Sequence, residues 1–241
     1  GLSLEGQLAD VLERFAQMRP TAAVAELAVP EELLLASDDE GLAWDPHIWM
    51  DAALFSRTAA EIARQLALLD PANATDYTAN ADGYTALLLE LHDWIGCAIA
   101  SIPAETRVLV TAHDAFSYFG RAYGIEVAAV QGLSTEAEAG VADIRGTAEL
   151  IIEHGVPAIF VESTVNPRTV QAVLEAVHAA GLDTVIGGEL YSDAMGPADT
   201  FQGTVIGMLI HNTRIITTAL GGELPPLPEA LHALAESWLA E

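Results

Sequence analysis

The 241-residue sequence contains no lysine. All nine of its basic residues are arginine, set against 35 aspartates and glutamates for a formal charge of −26. That balance argues against nucleic acid or an anionic membrane surface as a partner. It favours a cationic ligand by raising the local cation concentration, and it equally serves solubility, including adaptation to salt. Cysteine is nearly absent too: Cys97 stands alone, which excludes an internal disulfide and a thiolate metal cluster. No uninterrupted apolar run reaches the roughly 18–20 residues needed to cross a bilayer, so a soluble chain is expected. Phosphate-cradling loops are missing, because Gly187-Gly188 and Gly221-Gly222 lack the G-x-G-x-x-G and G-x-x-x-x-G-K patterns. A nucleophile elbow, G-x-S-x-G, is missing as well. Metal chemistry or binding remains. The sequence opens Gly1-Leu-Ser-Leu rather than with Met or a signal peptide, and reads as a processed or trimmed product whose targeting segment lies outside it.

What is present is apolar side chain, 51% of the residues, enough for one sizeable core or two modest ones. Leu4, Leu8, Val11, Leu12 and Phe15 recur at helical spacing, and Ala22–Glu26 reads as a short buried strand. Pro46 forces Asp45 into extended or turn geometry, so His47 is expected on a constrained loop just before a helix with Leu54, Thr58, Ile62, Leu66 and Leu69 on one face. The longest periodic segment follows, through Tyr77, Tyr84, Leu88, Leu91, Ile95, Ala98 and Ile102 to Pro103. About thirty residues at 1.5 Å each would span on the order of 45 Å, the length of a spine between two lobes. Four strand–helix units come next. Their strands are expected at Val108–Thr111, Glu126–Val130, Ala158–Val161 and Thr184–Ile186. Their helices are expected around Phe116, after a capping box at Thr135–Glu138, from Asn166-Pro167 to Gly181, and from about Asp199 to Leu220. This alternation predicts an α/β fold with parallel, doubly wound sheets. The organisation expected is residues 1–72, a linking spine over 73–103 and a second α/β part over 104–241, ending in a short amphipathic helix after Pro228.

Three metal-competent side chains fall in loops at strand ends or helix starts: His47, His113 and Asp193. His113 closes the apolar run Val108–Thr111, at the carboxyl end where α/β sheets build their ligand sites. The three are far apart in sequence, so no spacing rule joins them. His92, His154, His178, His211 and His232 fall within expected helices and read as solvated or locally bonded. Glu162, at another strand's carboxyl end, either orients a metal ligand from behind or pairs with Arg121.

Taken in order, the motifs D-P-H-I-W-M-D (45–51), T-A-H-D-A-F-S-Y-F-G-R-A-Y-G (111–124), Q-G-L-S-T-E-A-E (131–138), F-V-E-S (160–163), G-E-L-Y-S-D-A-M-G (188–196), G-T-V-I-G-M (203–208) and His211-Asn212 resemble the zinc/manganese substrate-binding proteins of ABC transporters, the TroA-like, ZnuA-like or lipoprotein-adhesin group. The resemblance runs nearly to Leu220. It implies two α/β lobes joined by one spine helix, and a single ion in the cleft held by His47, His113 and Asp193. It also implies a fourth ligand from an earlier D-P-H-x-Y motif, which no residue here supplies, so the first lobe is expected to be incomplete. The partner implied is an ABC permease, and the location is extracytoplasmic, as a periplasmic protein or a lipoprotein touching the membrane only through a lipid anchor outside this sequence. Imidazole at position 113 leans the ion towards Zn²⁺ over Mn²⁺. No catalysis is implied. The alternative is a metal-dependent hydrolase, with an open coordination position on a His/His/Asp set and Glu162 as general base.

Overall fold

The computed structural model describes residues 1–37, 39, 42–135 and 139–239, and the chain divides into two compact units, Gly1–Leu89 and Glu90–Glu241. Among the described residues no helix is long and apolar enough to cross a membrane.

The first unit is helical. Helix α1 spans Ala9–Ala16 and leaves Leu8, Val11 and Phe15 more than half exposed, so its apolar stripe is not a core face. Helix α2 spans Val24–Ala28, where a strand is expected. The reason is local: Ala and Glu favour helix, Leu27 and Val29 amides bond back to Ala23 and Ala25 carbonyls, and among the described residues no strand pairs with this segment. Ahead of helix α3, Ala52–Leu69, the Asp51 carboxylate accepts from the Leu54 amide at 3.0 Å, a regular N-cap. Leu54 and Thr58 of its expected face are buried, whereas Ile62, Leu66 and Leu69 are exposed.

Helix α4, Ala74–Ala100, is the single long helix that the periodicity predicts. The division between the units falls within it. Leu91, Trp94, Ile95, Ala98 and Ile99 of its later half are buried in the second unit. The chain after the last long helix returns to this segment: Trp94 Nε1 donates to the Pro225 carbonyl at 3.1 Å, and Ser101 Oγ donates to the Glu223 carbonyl while accepting from its amide.

The second unit carries the sheets. Strand β1, Val108–His113, pairs in parallel with β2, Glu126–Gln131, and the crossover between them is helix α5, Ser117–Tyr123. Gly124 ends α5 at φ +70°, a conformation that costs glycine nothing and a side chain roughly 1 kcal/mol or more. Helix α6, Val141–His154, leads to β3, Ala158–Glu162; helix α7, Arg168–Ala179, leads to β4, Val185–Leu190, parallel to β3. β1 packs beside β3. Every residue of β1 is buried, as a strand covered on both faces must be. Helix α8, Val205–Ala219, begins six residues later than Asp199, because Phe201–Gly203 forms a separate turn and Thr204 caps the helix through Gly207 N at 3.0 Å. A methyl on Gly207 would lie 1.9 Å from the Phe201 carbonyl oxygen, which explains a glycine there. Helix α9, Glu229–Leu239, is the last described element and buries Leu231. The capping box expected at Thr135–Glu138 lies outside the described residues beyond Thr135; α6 instead starts after Gly140, whose amide donates to Asp143.

Candidate metal centre

Strand β1 ends in a histidine with no solvent access. His113 is held from behind by Glu162, the last residue of β3: the His113 amide donates to Glu162 Oε1 at 2.9 Å, and Nδ1 lies 2.6 Å from Oε2. The two strands pack side by side, and their carboxyl ends bring together residues 49 positions apart. Glu162 is therefore committed to His113 and not to Arg121, whose guanidinium stacks on the Tyr118 ring at 4.9 Å.

The other ring nitrogen faces a second carboxylate. Asp193, on the loop after β4, brings Oδ2 to 3.4 Å from His113 Nε2 while keeping its side chain 32% exposed. The loop is pinned by Asn212 of α8, fully buried. Its Oδ1 accepts from the Tyr191 amide at 2.9 Å and its Nδ2 donates to the Tyr191 carbonyl at 2.7 Å. His211 adds a contact between its Nε2 and the Glu189 carbonyl at 3.1 Å and stacks on Tyr191. A bridge between the Thr164 and Ser192 hydroxyls at 3.1 Å ties the same loop to the chain after β3. Replacing Asn212 with Ala leaves both Tyr191 groups without these partners; a loss of about 1–3 kcal/mol is expected in urea unfolding. Hydrogen exchange should show faster exchange confined to the 191–196 loop.

Burial alone would pull the His113 pKa down. Its bonds to Asp193 and Glu162, and their negative charges, outweigh burial and hold it up to about 10. An imidazole facing one carboxylate with each nitrogen carries a proton easily, and Nε2 with the Asp193 carboxylate is a nitrogen–oxygen pair of the kind that could hold a metal ion.

In the first unit, His47 is buried and paired in the same manner. Asp45 Oδ1 accepts from the His47 amide at 2.9 Å and lies 2.7 Å from Nδ1, while the Trp49 ring meets the imidazole edge-on. The structure thus brings His113, Asp193 and Glu162 together in the second unit and holds His47 on Asp45 in the first. Sequence reasoning missed Asp45 and the role of Asn212. Asp45 was legible, since an Asp side chain turning back on the amide two residues later is a common turn device. Nothing local marks Asn212.

A family profile described as "ZnuA: Zinc-uptake complex component A periplasmic" matches residues 1–219. The manganese-binding lipoprotein MntA of Bacillus subtilis is 43% identical over 220 residues, 91% of this chain and 71% of the relative. The zinc-binding protein TroA of Treponema pallidum is 40% identical over 220 residues, 91% of this chain and 70% of the relative. A solved structure of the periplasmic zinc-binding TroA of Treponema pallidum superposes with a TM-score of 0.86 at 41% identity, covering 91% of this chain and 78% of that one.

Proposed function

Because the chain belongs to the ZnuA/TroA family of metal-binding substrate-binding proteins of ABC uptake systems, we propose that it captures one divalent transition metal ion outside the cytoplasm and delivers it to a membrane permease. His47, His113 and Asp193 are the ligands in this reading. The observation that carries it is His113: a fully buried imidazole with Nε2 turned to Asp193 and Nδ1 held by Glu162. Such a nitrogen–oxygen donor set suits zinc and its neighbours. Imidazole donors and the general affinity order of divalent ions place Zn²⁺ above Mn²⁺, although relatives named for each metal are similar to this chain. The charge of −26 draws cations towards the protein and keeps nucleic acid away.

The hydrolase alternative needs a carboxylate poised over metal-bound water. Glu162, its one nominee, spends both oxygens on His113, which favours capture over catalysis. Metal-stripped protein titrated separately with Zn²⁺ and Mn²⁺ is expected to bind one equivalent of either, with zinc the tighter. Binding of neither ion would overturn the proposal.

A further inference from the structure

The two histidines read as ligands are gripped by a similar device. In each, a buried carboxylate takes the backbone amide and the Nδ1 side of the same residue: Asp45 for His47 and Glu162 for His113. The carboxylates reach this position by unrelated routes, one from two residues upstream through a turn at Pro46, the other from a different strand. Recurrence by independent routes marks a requirement of the histidines rather than an accident of one loop.

Resting on the metal-capture reading, we propose that Asp45 and Glu162 are positioning residues that hold both imidazoles with the proton on Nδ1, so that Nε2 is the atom presented to the ion. An ionised carboxylate can only accept, so the nitrogen facing Asp45 or Glu162 must donate, and once the ion takes Nε2 the proton left on the ring is the one on Nδ1. The backbone bond fixes the carboxylate, so ring orientation is set before the ion arrives. On His113 the nitrogen left for the ion, Nε2, is the one that lies beside Asp193, the other ligand of this reading in the same unit. Partners of this kind raise the basicity of the ligand nitrogen, and their loss typically costs about 10–100-fold in metal affinity.

The two grips differ in one respect that makes the proposal sharp. Asp45 uses a single oxygen, Oδ1, for both the amide and the ring. Glu162 divides the work, Oε1 for the amide and Oε2 for the ring. An amide side chain has one acceptor oxygen and one donor NH₂. Asp45→Asn can therefore keep both bonds on its remaining oxygen. Glu162→Gln cannot: whichever way the amide turns, its NH₂ meets a donor. Turned towards the ring, it drives the proton to Nε2 and blocks the ion.

The test is zinc affinity measured against a chromophoric chelator for the wild type, Glu162→Gln, Asp45→Asn and Asp45→Ala, with two-bond ¹H–¹⁵N spectra of histidine-labelled, zinc-loaded wild type. The expected result is a loss of about 10–100-fold for Glu162→Gln and for Asp45→Ala, and a smaller loss for Asp45→Asn. The spectra should show both liganding rings protonated at Nδ1. Wild-type affinity in Glu162→Gln, or a zinc-bound ring protonated at Nε2, overturns the proposal while leaving metal capture standing. A wild-type protein that takes up no zinc overturns both. Should Glu162→Gln fail to fold, the wild-type spectra still decide each ring.

Discussion

His113→Ala is expected to abolish stoichiometric metal binding, with a larger loss than the roughly 10–100-fold that removing an orienting carboxylate costs. The substitution takes away a nitrogen donor and strands two carboxylates. Glu162, nearly without solvent access, loses the partner that its Oε2 meets at 2.6 Å. Leaving one half of a buried charged pair unpartnered costs about 3–5 kcal/mol. The variant should therefore melt well below the wild type in the metal-free state, and added zinc should raise the wild-type midpoint but not the variant's, since only a form that binds the ion is stabilised by it. Isothermal titration and differential scanning calorimetry check both halves. One equivalent of zinc retained by folded His113→Ala would remove His113 from the site. Because destabilisation alone could mimic a loss of binding, His113→Gln, which keeps a donor for Glu162, is the companion variant: it should recover stability without recovering zinc.

The second large effect is in pH. In the metal-free protein His113 is held up to about 10, against an ordinary value of 6.5. A folded-state pKa above the unfolded one means that the folded state binds the proton more tightly. Its contribution to stability is therefore complete below about 6.5 and is lost as pH rises through about 10. The stability difference between wild type and His113→Gln, both stripped of metal, should shrink across that window. Metal binding runs the other way. The ion must displace the proton, so zinc affinity should climb about tenfold per pH unit on account of His113 while this imidazole is protonated. Titration at neutral pH in buffers of different ionisation enthalpy should report about one proton released on account of His113, absent from the residual heat of the variant. It is the proton on His113 that competes with the ion, so acid drives release and alkali retention. Zinc affinity flat between neutral and mildly alkaline pH would contradict this account.

How much of this was legible beforehand differs from residue to residue. The unbroken apolar run before His113 announced a buried parallel strand, and Gly124 announced the end of the helix after it, because both signals reside in a few adjacent residues. Ala22–Glu26 misled for the same reason in reverse: four alanines and valines look like a strand until one asks what they would pair with, and among the described residues of the first unit no strand lies alongside. The late start of α8 was hidden in a contact between Gly207 and Phe201 that no periodicity displays.

The site divides along the same line. By itself the sequence determined the local chemistry: which side chains are able to bind a metal, that D-P-H holds its histidine on a turn, that the chain after Arg107 alternates strand and helix, and that the motifs in order belong to one family. Only the tertiary structure decided that Glu162 belongs to His113 rather than to Arg121, that Asp193 stands at the far nitrogen, and that Asn212 anchors the loop carrying it. The reason is physical. A bond between residues two or three apart depends on backbone preference, which composition encodes directly; a bond between residues 49 apart depends on two strands lying side by side with their ends level. That placement is a property of the whole packed core, which no stretch of residues around His113 contains.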